Sequence, residues 1–345
     1  MDLLSTAWIR RASLRFDSEW SGVFCKGRGF RSPAGGVNTA AMPAWILITF
    51  ASAFLQNLRS VLQKHLKGRM GTTGATFVRF GYGVPFALAY LAVLHLALDR
   101  PLPVPNGAFA IWAVIGAVAQ IAATFLLVHL FSFRNFAVGT AYSRTEPAQA
   151  ALIALVLFGE TITLPTLLAI LVSVLGVMLI SVARTTLTLS ALFTSVVSRT
   201  ALIGLLSGLF FGISGIAYRS ASLALQPSLP APDSVMQASY TLVVVILVQT
   251  FSMLAWMVWK DRAELQKVRA AWKIGVLVGF VGATASFGWF TAMTLQQVAV
   301  VKALAQVEML FTFASSVFFF KERINRLEIA GCVLIVAGVL LLLVV

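Results

Sequence analysis

From residue 44 to residue 345 the chain is a succession of long apolar runs separated by short polar connections. Runs fall at 44–63, 73–96, 108–130, 137–157, 163–182, 201–223, 235–258, 273–294, 299–319 and 327–345, each near the ~20 residues a helix needs to cross hydrocarbon. No water in that layer can satisfy exposed peptide groups, and no alternating pattern points to a barrel, so the runs predict helices. Breakers fall where turns are required, as at Pro101, Pro103 and Pro105 and again from Pro227 to Pro232. The pattern predicts an all-α membrane protein with ten transmembrane helices. The Ser/Thr-rich stretch 183–200 is the least apolar connection and is expected to form a short interfacial helix.

A second pattern lies over the first. The stretch Ala123–Gly176 falls on Ala285–Gly338 without a gap. Ala137, Val138, Ala141, Glu146, Phe158 and Glu160 recur as Ala299, Val300, Ala303, Glu308, Phe320 and Glu322. Apolar matches are weak in such a chain, but a mid-run glutamate that recurs is not. Five runs per half is an odd number, so the second half begins on the opposite side of the membrane, and the repeats are expected to be inverted. The expected units are a tail at 1–41, a first five-helix repeat at 42–182, a connection at 183–200 and a second repeat at 201–345.

Composition excludes a water-soluble domain of this length. Hydrophobic residues make up 59% and charged residues only 11%. The net charge of +14 is no nucleic-acid signal, because the basic residues cluster in connections, as at Lys64, Lys67 and Arg69 or Lys260, Arg262, Lys267, Arg269 and Lys273. Their placement after odd-numbered runs points to both termini outside. The basic tail, with Arg10, Arg11, Arg15, Lys26, Arg28 and Arg31, pulls the other way, and orientation stays open. That tail has no uninterrupted apolar core and reads as disordered or weakly surface-associated, with Met42 a candidate start. Cys25 and Cys332 lie in unrelated segments, and no disulfide, metal or cofactor is expected.

The candidate chemistry is polar side chains inside apolar runs. Glu146 and Glu308 each sit mid-run, where a carboxylate must be protonated or paired. They are the candidate proton-binding or solute-contacting groups. Arg59, Arg79, Arg144, Arg219 and Lys302 are the candidate partners. Arg79 lies within two turns of its run's start and can snorkel, as can Lys302, which shares a helix face with Gln306. Arg144 and Glu146 are two residues apart, so Arg144 is expected to pair with another helix. Five cations against two acids leave a positive surplus that favours a carboxylate or phosphate solute. Gln56 and Tyr142 could hydrogen-bond a solute, and Trp289 offers an apolar or cation–π wall. Weaker candidates are Asn57, Gln120, Gln149 and Tyr218. Glu160 and Glu322 read as structural groups at run ends. His65, His95 and His129 form no spaced cluster, no nucleophile–base pair is present, and no nucleotide-binding loop appears. The protein is therefore not read as an enzyme, and a gradient must drive any uphill transport.

These residues carry a resemblance. The two copies run from Ala141 through Glu146-Pro147 to Gly159-Glu160 and Gly176, and from Ala303 through Glu308 to Lys321-Glu322 and Gly338. In order, spacing and duplication they resemble the ten-helix EamA-type members of the drug/metabolite transporter superfamily, over 42–345. Lys64 and Arg79 also look like basic positions of that family. The resemblance implies a multi-pass exporter of the bacterial cytoplasmic (inner) membrane, moving an amino acid or other small carboxylate-bearing or polar metabolite by alternating access, with protons a candidate coupling ion. It implies a cavity between the halves and both termini in the cytoplasm, against the charge distribution. The second copy has Met309 where the first has Pro147, so the two cavity helices are not expected to bend identically. The expected partners are the solute and the lipid bilayer, not nucleic acid, and a monomer or a homodimer is compatible with ten helices. The alternatives are a channel or lipid-translocating protein, or a drug efflux carrier for apolar cations.

Overall fold

A computed structural model describes residues 43–130, 132–133, 141–159, 162–183, 198–311, 313 and 326–344. The tail, the 183–200 connection apart from its ends, Glu160 and Glu322 lie outside the described residues. What is described from residue 43 onward is an all-α, multi-pass helical bundle, with no strand among the described residues. Its helices are α1 (Ala44–Lys67), α2 (Thr72–Gly81), α3 (Val84–Ala92), α4 (Gly107–Leu130), α5 (Glu146–Phe158) and α6 (Leu164–Ala183). They continue with α7 (Arg199–Ala224), α8 (Ser234–Lys260), α9 (Arg262–Ala270), α10 (Trp272–Leu295), α11 (Val298–Leu304) and α12 (Arg326–Val344). Seven stretches among the described residues are long and apolar enough to cross a membrane. At 24 residues, α1, α4 and α10 each reach about 36 Å, enough for the hydrocarbon with some tilt.

Side chains such as Phe54, Val61, Ile111, Val118 and Phe251 point outward, as lipid requires, while alanines, glycines and hydroxyl residues fill the helix contacts. Trp256, Trp259 and Trp272 are exposed at the α8–α10 end, with Lys260 Nζ 4.3 Å from the Trp259 ring centroid, the arrangement of an aromatic and basic membrane boundary.

Three runs fold as broken helices rather than as the continuous spans their hydropathy predicts. The run 73–96 divides at Tyr82-Gly83, where Pro85 enters α3 and a Cβ on Gly83 would lie 2.8 Å from the Arg79 carbonyl oxygen. The run 137–157 has turn geometry at Arg144-Thr145 before α5 begins at Glu146. The run 299–319 breaks into α11, a 3-10 turn at Ala305–Val307, and helix again from Glu308. The last two breaks fall at matching places in the two copies, although only one is followed by proline. They differ in form, a turn in one and a 3-10 segment in the other.

Helices from the two halves pack directly, α4 on α7, α1 on α10 and α6 on α12. The α6–α12 crossing is close-packed at glycines. A Cβ on Gly176 would lie 2.6 Å from the Gly331 carbonyl oxygen, and one on Gly331 would lie 2.6 Å from that of Gly176. A Cβ on Gly338 would lie 2.9 Å from the Ala169 carbonyl oxygen.

Two clasps join connections at opposite ends of α8. At one end Asp233 caps α8, accepting from the N–H groups of Val235 and Met236, and pairs with Arg100 at 2.9 Å. At the other, buried Glu264 on α9 accepts the Gly71 N–H at 2.6 Å, just before α2 begins, and pairs with Lys267 at 2.6 Å. The hydrogen bond to Glu264 holds the Lys267 ammonium above its ordinary pKa.

Two outcomes test this packing. Gly331→Leu should lower stability by about 1–3 kcal/mol through overpacking at the α6–α12 crossing, read as a lower melting temperature of the detergent-purified protein. Glu264→Ala should also lower it, by about 1–3 kcal/mol, because the Gly71 N–H loses a charged acceptor, and proteolysis near residue 71 should quicken.

Candidate functional site

The breaks before Glu146 and Glu308 place the two acids at the starts of helical segments, near freed backbone N–H groups. Around them lies a cavity of about 180 Å³ formed by residues of α1, α2, α4, α5, α7, α10 and α11, by Ser143 and Arg144 at the first break and by Glu308 after the second. Glu146, Glu308, Arg144 and Lys302 line it, as do Arg59, Arg79, Gln56 and Trp289.

The charges form two ion pairs that cross from one half to the other. Lys302 Nζ lies 2.9 Å from Glu146 Oε1, an ion pair without the angle of a hydrogen bond, and 5.1 Å from the Trp289 ring centroid. Arg144 donates to Glu308 through both terminal nitrogens, at 3.2 and 3.4 Å, and Gln56 Nε2 donates to the same carboxylate at 3.1 Å. The Glu308 side chain is 5% exposed and that of Arg144 34%, so the acid is sunk in the wall and the guanidinium opens on the cavity. Gln306 Nε2 donates to the Arg144 carbonyl oxygen, an acceptor released by the break, across 162 positions of sequence.

A neutral wall faces this cluster. The Tyr218 hydroxyl lies 2.8 Å from both the Gly116 carbonyl oxygen and Gln120 Oε1, with one proton to share between them, and Gln249 Nε2 donates to Gln120 and Tyr218. Tyr218 stacks on Phe290 with ring centroids 4.3 Å apart. Gly116 admits the Tyr218 ring, since a Cβ there would overlap it.

Three of the sequence candidates lie elsewhere. Arg219 NH1 donates to the carbonyls of Met293 and Gln296, both at 2.6 Å, and of Thr294 at 3.3 Å, capping the end of α10. Tyr142 is buried with Ala201 and does not line the cavity, and Gln306 acts through the backbone of Arg144. Arg79 does not snorkel: it is buried, with NH1 3.2 Å from Thr124 Oγ1. Ser143, Ser214, Ser286 and Gln249 were not singled out by sequence, and only Gln249 carried a signal, as the polar residue nearest the middle of its run. Among the described residues no group of His, Cys, Asp and Glu could hold a metal ion.

Fold and site together define a polytopic membrane protein with a charged central cavity built from both ends of the chain. The model of the EamA-like transporter family matches residues 43–182 and 198–344, and the chain belongs to that family. It is accordingly a transporter of small molecules across a membrane rather than an enzyme. One solved crystal structure, described only as that of a protein, is similar with a TM-score of 0.65 over 87% of this chain and 98% of that one. At 15% identity that likeness is one of fold. No curated protein matches the chain at a stringent threshold.

The crossing pair has a measurable signature. Glu308→Gln and Arg144→Gln should each lower the melting temperature, because each leaves a charge in the wall uncompensated. The double variant should melt no lower than the worse single one, a coupling of about 1–3 kcal/mol in a double-mutant cycle.

Proposed function

We propose that the protein is a secondary carrier that moves a small carboxylate-bearing or polar metabolite, amino acids included, across the bacterial cytoplasmic membrane. It exports its solute by alternating access of two inverted five-helix halves, residues 42–182 and 201–345. The observation that carries this reading is the pair of ion bridges that cross between the halves inside the bundle, at the matched helix breaks. Bonds that join the halves only across the cavity can be exchanged when the halves move, which a carrier requires and a purely structural bundle does not.

Ten helices in inverted repeats is supported by the register of contacts. A twofold relation that takes residue i to i+162 turns the contact between Gly176 and Ile335 into one between Ser173 and Gly338. Both are present. The same relation leaves the contact between Arg144 and Gln306 unchanged, as a contact lying on the axis must be. The α1–α10 and α4–α7 packings exchange under it.

Protons are the proposed coupling ion, and Glu146 and Glu308 the groups that take them. Protonating either acid dissolves one crossing pair, so proton binding and the contact between halves are linked. A carrier for apolar cations fits less well, because four cations and two acids line the cavity.

Comparative metabolite profiling tests this reading. Cells with the intact protein should release a metabolite that cells with Glu146→Gln/Glu308→Gln retain at matched membrane levels. Uptake of that metabolite into proteoliposomes should saturate, and its pH dependence should flatten in the double variant. Equal rates and equal pH profiles would sink the acid-centred mechanism, and non-saturable flux would favour a channel.

A further inference from the structure

The acids and bases of the cavity do not cancel, and the remainder is concentrated at one place. Glu308 is engaged by Arg144 and Gln56, and Glu146 by Lys302. Arg59 on α1 and Arg79 on α2 form no ion pair among the described residues, and Glu308 acts on Arg59 only from beyond ion-pair distance. Arg59 is 7% exposed, and its Nε and NH1 have no hydrogen-bond partner among the described residues. Arg79 is 5% exposed and donates to the neutral hydroxyl of Thr124. The two stems run side by side over Gly282, where a Cβ would lie 3.3 Å from Arg59 Cδ and 3.7 Å from Arg79 Cγ. Two like charges held together in the wall of a membrane protein, one with unmet donors, cost stability and need a reason.

Cavity geometry supplies one. Arg59, Ser60 and Arg79 line the central cavity and also a second cavity of about 50 Å³, which Gln63 and Thr124 line as well. The two arginines therefore border both spaces, in the company of hydroxyl and amide groups. Trp289, which also lines the central cavity, has a buried indole N–H without an acceptor among the described residues.

The geometry points to Arg59 and Arg79 as a subsite for a doubly anionic group of the transported solute, either a phosphomonoester or a pair of carboxylates. The inference rests on the carrier reading and narrows its substrate class. Planar guanidinium forks bind such groups through paired hydrogen bonds. Four cations and two acids leave two positive charges, which a dianion neutralises and a zwitterionic amino acid does not. The Arg144–Glu308 and Lys302–Glu146 pairs meanwhile remain closed on each other.

The test uses the full chain in nanodiscs with inorganic phosphate, succinate, alanine and tetraphenylphosphonium as probes, read by melting temperature and titration calorimetry. Phosphate or succinate should stabilise the wild type, and which one binds more tightly distinguishes the phosphomonoester from the dicarboxylate. Alanine and tetraphenylphosphonium should have no effect. Arg59→Gln should weaken dianion binding about tenfold or more, with Arg59→Lys intermediate. Because it removes a charge with unmet donors, Arg59→Gln should also melt at or above the wild type without ligand. Tighter binding of alanine or the cation, unchanged dianion binding in Arg59→Gln, or a lower melting temperature for it would each overturn the subsite. Counterflow of the same probes in proteoliposomes separates the two readings. Saturable alanine exchange alone keeps the carrier and removes the subsite, whereas dianion binding without exchange keeps the subsite and removes the carrier.

Discussion

A carboxylate inside a bilayer needs a partner, and the two acids at the centre of this molecule are each given one of opposite charge. A lone carboxylate on a continuous membrane helix has few ways to be stabilised, because the helix has already spent its backbone donors on itself. Here each acid follows a break. The turn at Arg144-Thr145 and the 3-10 segment at Ala305–Val307 release backbone groups beside Glu146 and Glu308, and the Arg144 carbonyl so released is taken by Gln306. The opposite charge comes from the other half in both cases. Helix breaks, buried acids and contact between halves are therefore one structural solution, and removing any part of it exposes the others.

The recurring pattern puts unlike residues at matched positions, and that divergence makes the cavity lining one-sided. Gln120 and Gly282 are 162 residues apart. Gln120 fills its place with an amide that holds Tyr218 and, through it, a neutral wall against Phe290. Gly282 leaves its place open, and the stems of Arg59 and Arg79 occupy it. Arg144 likewise corresponds to Gln306, a cation in one half and an amide in the other. The cavity thus has a cationic side at Arg59 and Arg79 and a neutral side at Gln120 and Tyr218.

Much of this was legible in the sequence, and the illegible parts share a cause. Hydropathy locates helices because lipid contact is averaged over a whole run, as for α1, α4, α8 and α10. It is blind to a break of two or three residues, since the residues at 305–307 are as compatible with an α-helix as with the 3-10 turn they form. Glu146 and Glu308 stood out because an acid in an apolar run has few alternative explanations. Cations are harder to read, because a long stem lets the charge travel. Arg79 lies near the start of its run yet turns inward to Thr124, and Arg219, a candidate partner for the acids, reaches instead to the carbonyls ending α10. The direction of a long side chain depends on which backbone acceptors a neighbouring helix leaves open, and a single sequence does not contain that.

The two end clasps differ in what it costs to release them. Arg100–Asp233 is a partly exposed pair, with side chains 36% and 23% accessible, and its companions Val104–Ser228 and Asn106–Ala224 are exposed hydrogen bonds. Water replaces such partners readily, and a pair of this kind contributes about 0–1 kcal/mol. Glu264 is buried against Gly71 and Gly74, so drawing it away strands a backbone N–H and re-exposes a packed carboxylate, at about 1–3 kcal/mol. Tyr82 adds a hydrogen bond to the Val268 carbonyl at that end. Among the described residues, then, the Arg100–Asp233 contacts are released at lower cost than those of Glu264.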